Sequence, residues 1–190
     1  MKTFVAIELD NKFKEYLSEA RDIVRGNAVK GNFTRDGNFH MTLRYLGVTA
    51  PIVIKTLQKE LKIICEKYSI TELKIEKLGA FNKGNRSIIF IEPQIEDSLR
   101  KMRDEIEAVV IKLGFEPDYK AYKPHITLGR EINIEKPIDD LDDLIPLYTE
   151  PVIADGISLM ESTIEDGKLV YKRIFKIKLI NAWFISVEVL

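Results

Sequence analysis

The chain has 190 residues, 45% of them apolar and 31% charged, with 29 Lys and Arg against 30 Asp and Glu for a formal net charge of −1. These figures exclude a disordered or collagen-like chain and a strongly basic nucleic-acid scaffold, while leaving room for a local basic pocket. A chain of this size buries roughly 70% of its unfolded surface, so it needs neither a disulfide nor a metal to hold a core.

Residues 2–9 read as a strand and residues 11–25 as a helix, with Phe13, Leu17, Ala20 and Val24 on one face and Asp10 or Asn11 as its cap. The glycine-rich stretch 26–38 reads as a loop leading into an extended run, 39–47. Pro51 opens a second helix through about residue 68. Strands are expected at 70–78 and 86–92, joined by a turn at 81–85, then a third helix over 94–113. The face of that helix is Ile95, Leu99, Met102, Ile106, Val109 and Leu113, and Gly114 ends it. Residues 115–124 form a loop, and 123–130 are extended. The acidic 139–143 segment reads as a short helix or turn with a solvated face. Strands at 151–161 and 168–179 meet at Asp166-Gly167, a two-residue hairpin signal. In the second of them Leu169, Tyr171, Phe175, Ile177 and Leu179 share one parity, and the final strand is WFISVEVL. Mixed strands and helices give an α+β fold, one domain over 1–190.

Cys65 is the only cysteine, so no internal disulfide is available. It falls on the apolar face of the second helix with Leu57, Leu61, Ile64 and Tyr68, which reads as a buried thiol in a cytoplasmic protein. The opening MKTFVAIELD carries acids at positions 8 and 10 and does not read as a signal peptide. No apolar run approaches the roughly 20 residues of a membrane span, so no membrane partner is expected.

The most informative feature is an internal repeat. Residues 39–43 read Phe-His-Met-Thr-Leu and residues 124–128 read Pro-His-Ile-Thr-Leu, and His40 and His125 are the only histidines in the chain. On a strand, residues i and i+2 point to the same face about 6.6 Å apart. His40 and Thr42 therefore share a face, as do His125 and Thr127, while Met41, Leu43, Ile126 and Leu128 pack inward. Two such strands facing each other across a cleft put two imidazoles and two hydroxyls around one anion-sized volume. An imidazole has an ordinary pKa near 6.5, so one ring can act as base and the other as acid. The base would take a proton from water, the acid would protonate a departing ribose oxygen, and the threonines would hold phosphate oxygens. There is no P-loop, GxGxxG, HExxH or GxSxG pattern, so neither a cofactor nor a metal is expected.

The sequence resembles the two-histidine phosphoesterase superfamily, and within it the RNA 2′,3′-cyclic phosphodiesterases once named 2′-5′ RNA ligases. The matching segments are Lys2 to Ile7, Asn38 to Gly47, Gly79-Ala80-Phe81, Tyr122 to Arg130, and Leu159 to Ser162 with Gly167 and Tyr171. Lys2 and Asn82 depart from the family's more usual arginine and proline. The resemblance implies a bilobal fold, two pseudo-symmetric lobes of antiparallel sheet with outer helices around a central cleft. It implies a substrate that is an RNA terminus with a 2′,3′-cyclic phosphate, tRNA fragments included, acted on by a monomer. The ring would open to a 2′-phosphomonoester, with His40 as acid toward the 3′ oxygen and His125 as base. ATP-independent 2′-5′ ligation would be the reverse reaction. Two alternatives stay open: a phosphodiesterase of small cyclic nucleotides or sugar cyclic phosphates, and an RNA-binding or ligating module with little hydrolysis.

Further site candidates surround the repeat. The motif match sets Arg130 on phosphate, although its parity opposes that of His125 unless the strand ends or bulges at Gly129. Arg44 shares the parity of His40 and reaches either phosphate or a neighbouring carboxylate. Phe39, Tyr122 and Tyr171 are candidates for stacking on a base. Lys30, Arg35 and Lys123 sit in loops beside the motifs, where they either attract an RNA backbone or simply face solvent.

Overall fold

The computed structural model describes residues 1–181 of the chain. Among these, nine strands form one sheet: β1 (Lys2–Glu8), β2 (Ala28–Phe33), β3 (His40–Val48), β4 (Thr71–Lys83), β5 (Arg86–Gln94), β6 (Ile126–Ile134), β7 (Val152–Ala154), β8 (Gly156–Glu165) and β9 (Lys168–Lys178). The helices are α1 (Asn11–Gly26), α2 (Pro51–Cys65), α3 (Asp97–Lys112) and the short α4 (Ile138–Asp142). The expected last strand, 183–190, lies outside the described residues.

Local chemistry explains most element ends. The Asp10 carboxylate accepts from the Phe13 amide at 2.8 Å and caps α1, whose buried face is Phe13, Leu17, Ala20, Arg21 and Val24. Pro51 is in the first turn of α2. Gly114, at φ +89°, closes α3, while the Phe115 amide reaches back to the Val110 carbonyl. Asp166 and Gly167 both have positive φ, as a type I′ hairpin between β8 and β9 requires.

The strand order is β7-β4-β5-β6-β3-β1-β8-β9, with β2 also on β6. The two motif strands are therefore sheet neighbours, not strands facing across a gap as the repeat alone led us to expect. They touch through one antiparallel pair, Met41 with Ile126. Beyond it β6 pairs with β2 instead, so the sheet divides there into two lobes around a common seam, the bilobal α+β architecture. One face of the seam is apolar. Val5, Ile7, Met41, Leu43, Ile89, Ile91, Ile126 and Leu128 join Phe13, Leu17, Leu57, Leu61, Leu99 and Ile106 of the helices in one core. The opposite face carries the histidines.

Four expectations need correction. The 26–38 stretch holds strand β2 and a short 3₁₀ turn at Asp36–Asn38. β2 is mostly exposed, so it lacks the apolar alternation that marks a strand, and its pairing with β6 forms it instead. The β4 strand continues through Lys83, leaving only residues 84–85 as the turn, and the 151–161 strand is broken into β7 and β8. In β9 the pairing slips between Leu159/Met160 and Phe175/Arg173, so Ile174 is an extra residue. That bulge reverses the parity: Phe175 and Ile177 face the main core, whereas Tyr171 packs with Phe4, Ala6 and Met160 on the other face.

Cys65 is buried as expected, and burial pushes its thiol up to about 12, where it is inert. The seam depends on the Met41–Ile126 contact. We predict that Met41→Ala lowers unfolding free energy by about 2–5 kcal/mol in a urea titration. A loss below about 1 kcal/mol would show that the lobes hold together without it.

Candidate active site

Because β3 and β6 are antiparallel through Met41 and Ile126, the register continued one residue each way sets His40 opposite Thr127 and Thr42 opposite His125. This diagonal arrangement gives the site its pseudo-twofold character. His40 opens β3 and His125 stands just before β6, each on the face away from the core.

Each ring is held in the same way. His40 Nδ1 lies 2.7 Å from the Asn38 carbonyl, and His125 Nδ1 lies 2.8 Å from the Lys123 carbonyl. A carbonyl only accepts, so each Nδ1 carries a proton and donates it. In the neutral ring Nε2 is then the bare, basic nitrogen. For His40 that nitrogen accepts from the Thr42 hydroxyl at 3.0 Å.

Aromatic rings support both imidazoles. His40 lies 4.8 Å from Phe4 and 5.0 Å from Tyr171, centroid to centroid, and His125 lies 5.3 Å from Phe81 and 5.5 Å from Phe90. Gly79, opposite Phe90 on β4, leaves the space for that ring, since a Cβ there would come within 2.5 Å of it. Desolvation by this packing disfavours the imidazolium. Burial takes His40 down to about 4 from the usual 6.5, opposed by its backbone hydrogen bond and helped by the positive fields of Arg130 and His125. Burial also lowers His125, with Arg130 and Lys123 adding to the shift.

The histidines border one cleft of about 730 Å³, lined among others by Thr42, Arg44, Tyr45, Tyr122, Lys123, Arg130, Ser162 and Tyr171. Arg130 enters it because β6 does not end at Gly129 but bulges on both sides of it. The pairing with β5 slips between Phe90 and Ile89 and again between Ile89 and Ser87, and Glu131 takes φ +53°. The first slip moves Arg130 onto the face of His125. Among the described residues Arg130 has no hydrogen-bond or ion-pair partner, so its guanidinium is available to an anion.

Other candidates fare differently. Arg44 lines the cleft, but its guanidinium donates to Glu107 and to the carbonyls of Tyr45 and Glu116. It pins α3 and the 113–118 segment to β3, so of its two readings the neighbouring carboxylate is the one its guanidinium meets. Thr127 is half-buried and is not among the lining residues of the cleft. Phe39 is 2% exposed in the main core, with the Arg21 guanidinium 5.7 Å over its ring, so it cannot stack on a base. Tyr122 does line the cleft, but its hydroxyl donates to the Thr42 carbonyl at 3.0 Å and its ring lies under Arg103. It braces the strand that carries His40. Tyr171 keeps a face on the cleft. Lys123 also lines it, 3.1 Å from Glu92 and over Phe90.

Sequence reasoning missed the ring partners Phe4, Phe81 and Phe90, and also Asn38. The Asn38 side chain is buried. Its Nδ2 donates to the Leu169 carbonyl at 2.9 Å and its Oδ1 accepts from the Tyr171 amide at 3.1 Å, fastening β9 to the turn whose carbonyl holds His40. The Phe-x-Ala of β1 and the Gly-Ala-Phe of β4 were the available signal for two of the rings. Nothing local announces the bond from Asn38 to a strand over 130 residues away.

With two histidines, a proton NMR titration reports each ring separately. His40 is expected to titrate near pH 4. Because the unfolded chain binds this proton at about 6.5, folding stability is lost as pH falls from about 6.5 toward 4. A His40 midpoint near 6.5 would contradict the buried, neutral ring.

The model of the 2′-5′ RNA ligase superfamily matches residues 13–163, which include both motifs. The RNA 2′,3′-cyclic phosphodiesterase of Aeropyrum pernix is 27% identical over 174 residues, covering 85% of this chain and 94% of that protein. The protein of the same name from Thermotoga maritima is 24% identical over 181 residues, covering 93% and 94%. The crystal structure of TT0787 of Thermus thermophilus superposes with a TM-score of 0.80 at 20% identity, covering 96% of this chain and all of that one. E. coli LigT complexed with 3′-AMP gives 0.75 at 18% identity, covering 94% and 97%. The twin histidine motifs on neighbouring strands, the bilobal sheet and the family match agree: this chain belongs to the 2′-5′ RNA ligase superfamily, in the RNA 2′,3′-cyclic phosphodiesterase family of two-histidine phosphoesterases.

Proposed function

We propose that the protein hydrolyses the 2′,3′-cyclic phosphate at the end of an RNA chain, leaving a 2′-phosphomonoester and a free 3′ hydroxyl. The reading rests on one observation above all. Both imidazoles commit Nδ1–H to backbone carbonyls, and so both turn Nε2, the atom able to exchange a proton, toward one cleft that also holds Arg130, whose guanidinium has no partner among the described residues. The names of the relatives from A. pernix and T. maritima support the same substrate class.

In this scheme the phosphate is bound between the two rings. His125 takes a proton from water as the oxygen attacks phosphorus. The P–O3′ bond breaks, and His40, as the imidazolium, gives its Nε2 proton to the departing O3′. Arg130 and the Thr42 hydroxyl hold the non-bridging oxygens, whose charge grows in the transition state. Thr42 suits either state of His40, since a hydroxyl donates to a bare Nε2 and accepts from a protonated one. With a 5′ hydroxyl in place of water as the nucleophile, the same proton transfers form the P–O5′ bond, break P–O3′ and leave a 2′-5′ linkage. No nucleotide cofactor enters the balance. We take the site to be one domain acting as a monomer in the cytoplasm.

The test is a short RNA ending in 2′,3′-cyclic phosphate, incubated with the protein in the presence of EDTA, followed by identification of the end. A 2′-phosphate is expected. A 3′-phosphate, or no turnover, would overturn the reading. Replacing either His40 or His125 with alanine should lower turnover at least ~100-fold in a protein that remains folded by circular dichroism. Near-normal turnover in both variants would eliminate the paired acid–base scheme.

A further inference from the structure

A second hollow of about 580 Å³ lies beside the cleft and is lined by Arg25, Phe33, Arg35, Asn38, Val170 and Tyr171 along with Arg21 and Asp36. Tyr171 lines both spaces. Asn38 lines the hollow and stands two residues before His40, no more than about 7 Å along the chain. The wall between the two spaces is fixed, because the Asn38 side chain bonds the Leu169 carbonyl and the Tyr171 amide.

The charges in the hollow are uneven. Arg21 is occupied by Asp22, Asp36 and the Thr34 carbonyl. Arg25 pairs with Asp22 at 2.8 Å and lies 4.9 Å over the Phe33 ring, forming a flat cationic and aromatic surface. Arg35 is exposed and, among the described residues, its guanidinium has no hydrogen-bond or ion-pair partner. Of the three loop cations singled out by sequence, it alone lines this hollow. Lys30 borders a different depression with Arg86 and Glu131, and Lys123 belongs to the cleft beside Glu92.

We infer that this hollow seats the nucleotide next upstream of the cyclic end, with Arg35 on its phosphodiester and the Arg25–Phe33 surface under its base. The inference rests on the RNA reading of the cleft and deepens it. Single strands are held by a cation on the backbone and flat rings or guanidinium planes on the bases. The hollow is of nucleotide size, opens beside the cleft, and carries one uncompensated positive charge in a chain whose net charge is −1. The protein thereby favours an oligonucleotide end over a free cyclic mononucleotide without any further domain.

The experiment compares Arg35→Glu and the double variant R25E/R35E with the wild type on two substrates, a short RNA oligonucleotide with a cyclic end and the corresponding nucleoside 2′,3′-cyclic phosphate. Both side chains are at the surface, so the fold is retained. The oligonucleotide kcat/KM is expected to fall about tenfold or more, with less than about twofold change on the mononucleotide and a salt dependence shallower by about 0.7 in log–log slope. Equal losses on both substrates, or none on the oligonucleotide, would overturn the inference. If the wild type turns over neither substrate, the catalytic reading fails separately. The hollow is then judged by anisotropy binding of a fluorescent RNA ending in 2′-phosphate: about tenfold weaker binding to R35E supports it, and unchanged binding refutes it.

Discussion

Each histidine gives its Nδ1–H to a backbone carbonyl two residues upstream, Asn38 for His40 and Lys123 for His125. Because a carbonyl has no proton to offer, this contact sets the tautomer as well as the ring's direction. The rest of the site follows from it. With Nδ1 committed, Nε2 is the only nitrogen left for chemistry, and strand parity aims both Nε2 atoms at the side of the sheet away from the core. The antiparallel seam at Met41 and Ile126 then makes the two half-sites near mirror roles of each other, each imidazole diagonal to the other's partner threonine.

The competing effects in the cleft can be sized. Burial among Phe4 and Tyr171 brings His40 to about 4, a shift equivalent to roughly 3 kcal/mol against the imidazolium. An anion about 4 Å away at an effective dielectric of about 20 contributes roughly 4 kcal/mol in its favour. In the proposed scheme a phosphate between the rings would offset that cost and favour the protonated His40 that the acid role needs. Arg130 works against protonation of both rings while attracting the same phosphate. The asymmetry between the half-sites, with the Thr42 hydroxyl on His40 Nε2 and, among the described residues, no matching bond from Thr127 to His125, gives the two imidazoles different surroundings despite their common tether.

Much of the architecture was legible where the amino-acid pattern is local. The spacing of Phe13, Leu17, Ala20 and Val24 marks α1, Asp166-Gly167 marks the hairpin, and the alternation in His-x-Thr-Leu separates a cleft face from a core face. What could not be read depends on distant partners. β2 exists because β6 offers it an edge, and its Gly- and Lys-bearing sequence shows no buried face. The bulges that deliver Arg130 to the cleft and split Tyr171 from Phe175 are adjustments between strands, visible only once the register is known. Arg44 looked like a ligand contact because parity puts it beside His40, yet Glu107 on α3 claims its guanidinium. Phe39 adjoins His40 in sequence, but the pleat sends it into the core.

The most direct test of the account is a crystal structure of the protein with a nucleoside 2′-monophosphate. The account predicts that the phosphate lies between the rings, with His40 Nε2 and His125 Nε2 each within hydrogen-bond distance of a phosphate oxygen while both Nδ1 atoms stay on their carbonyls. A phosphate bound elsewhere on the surface, or one reached by a single histidine only, would contradict it.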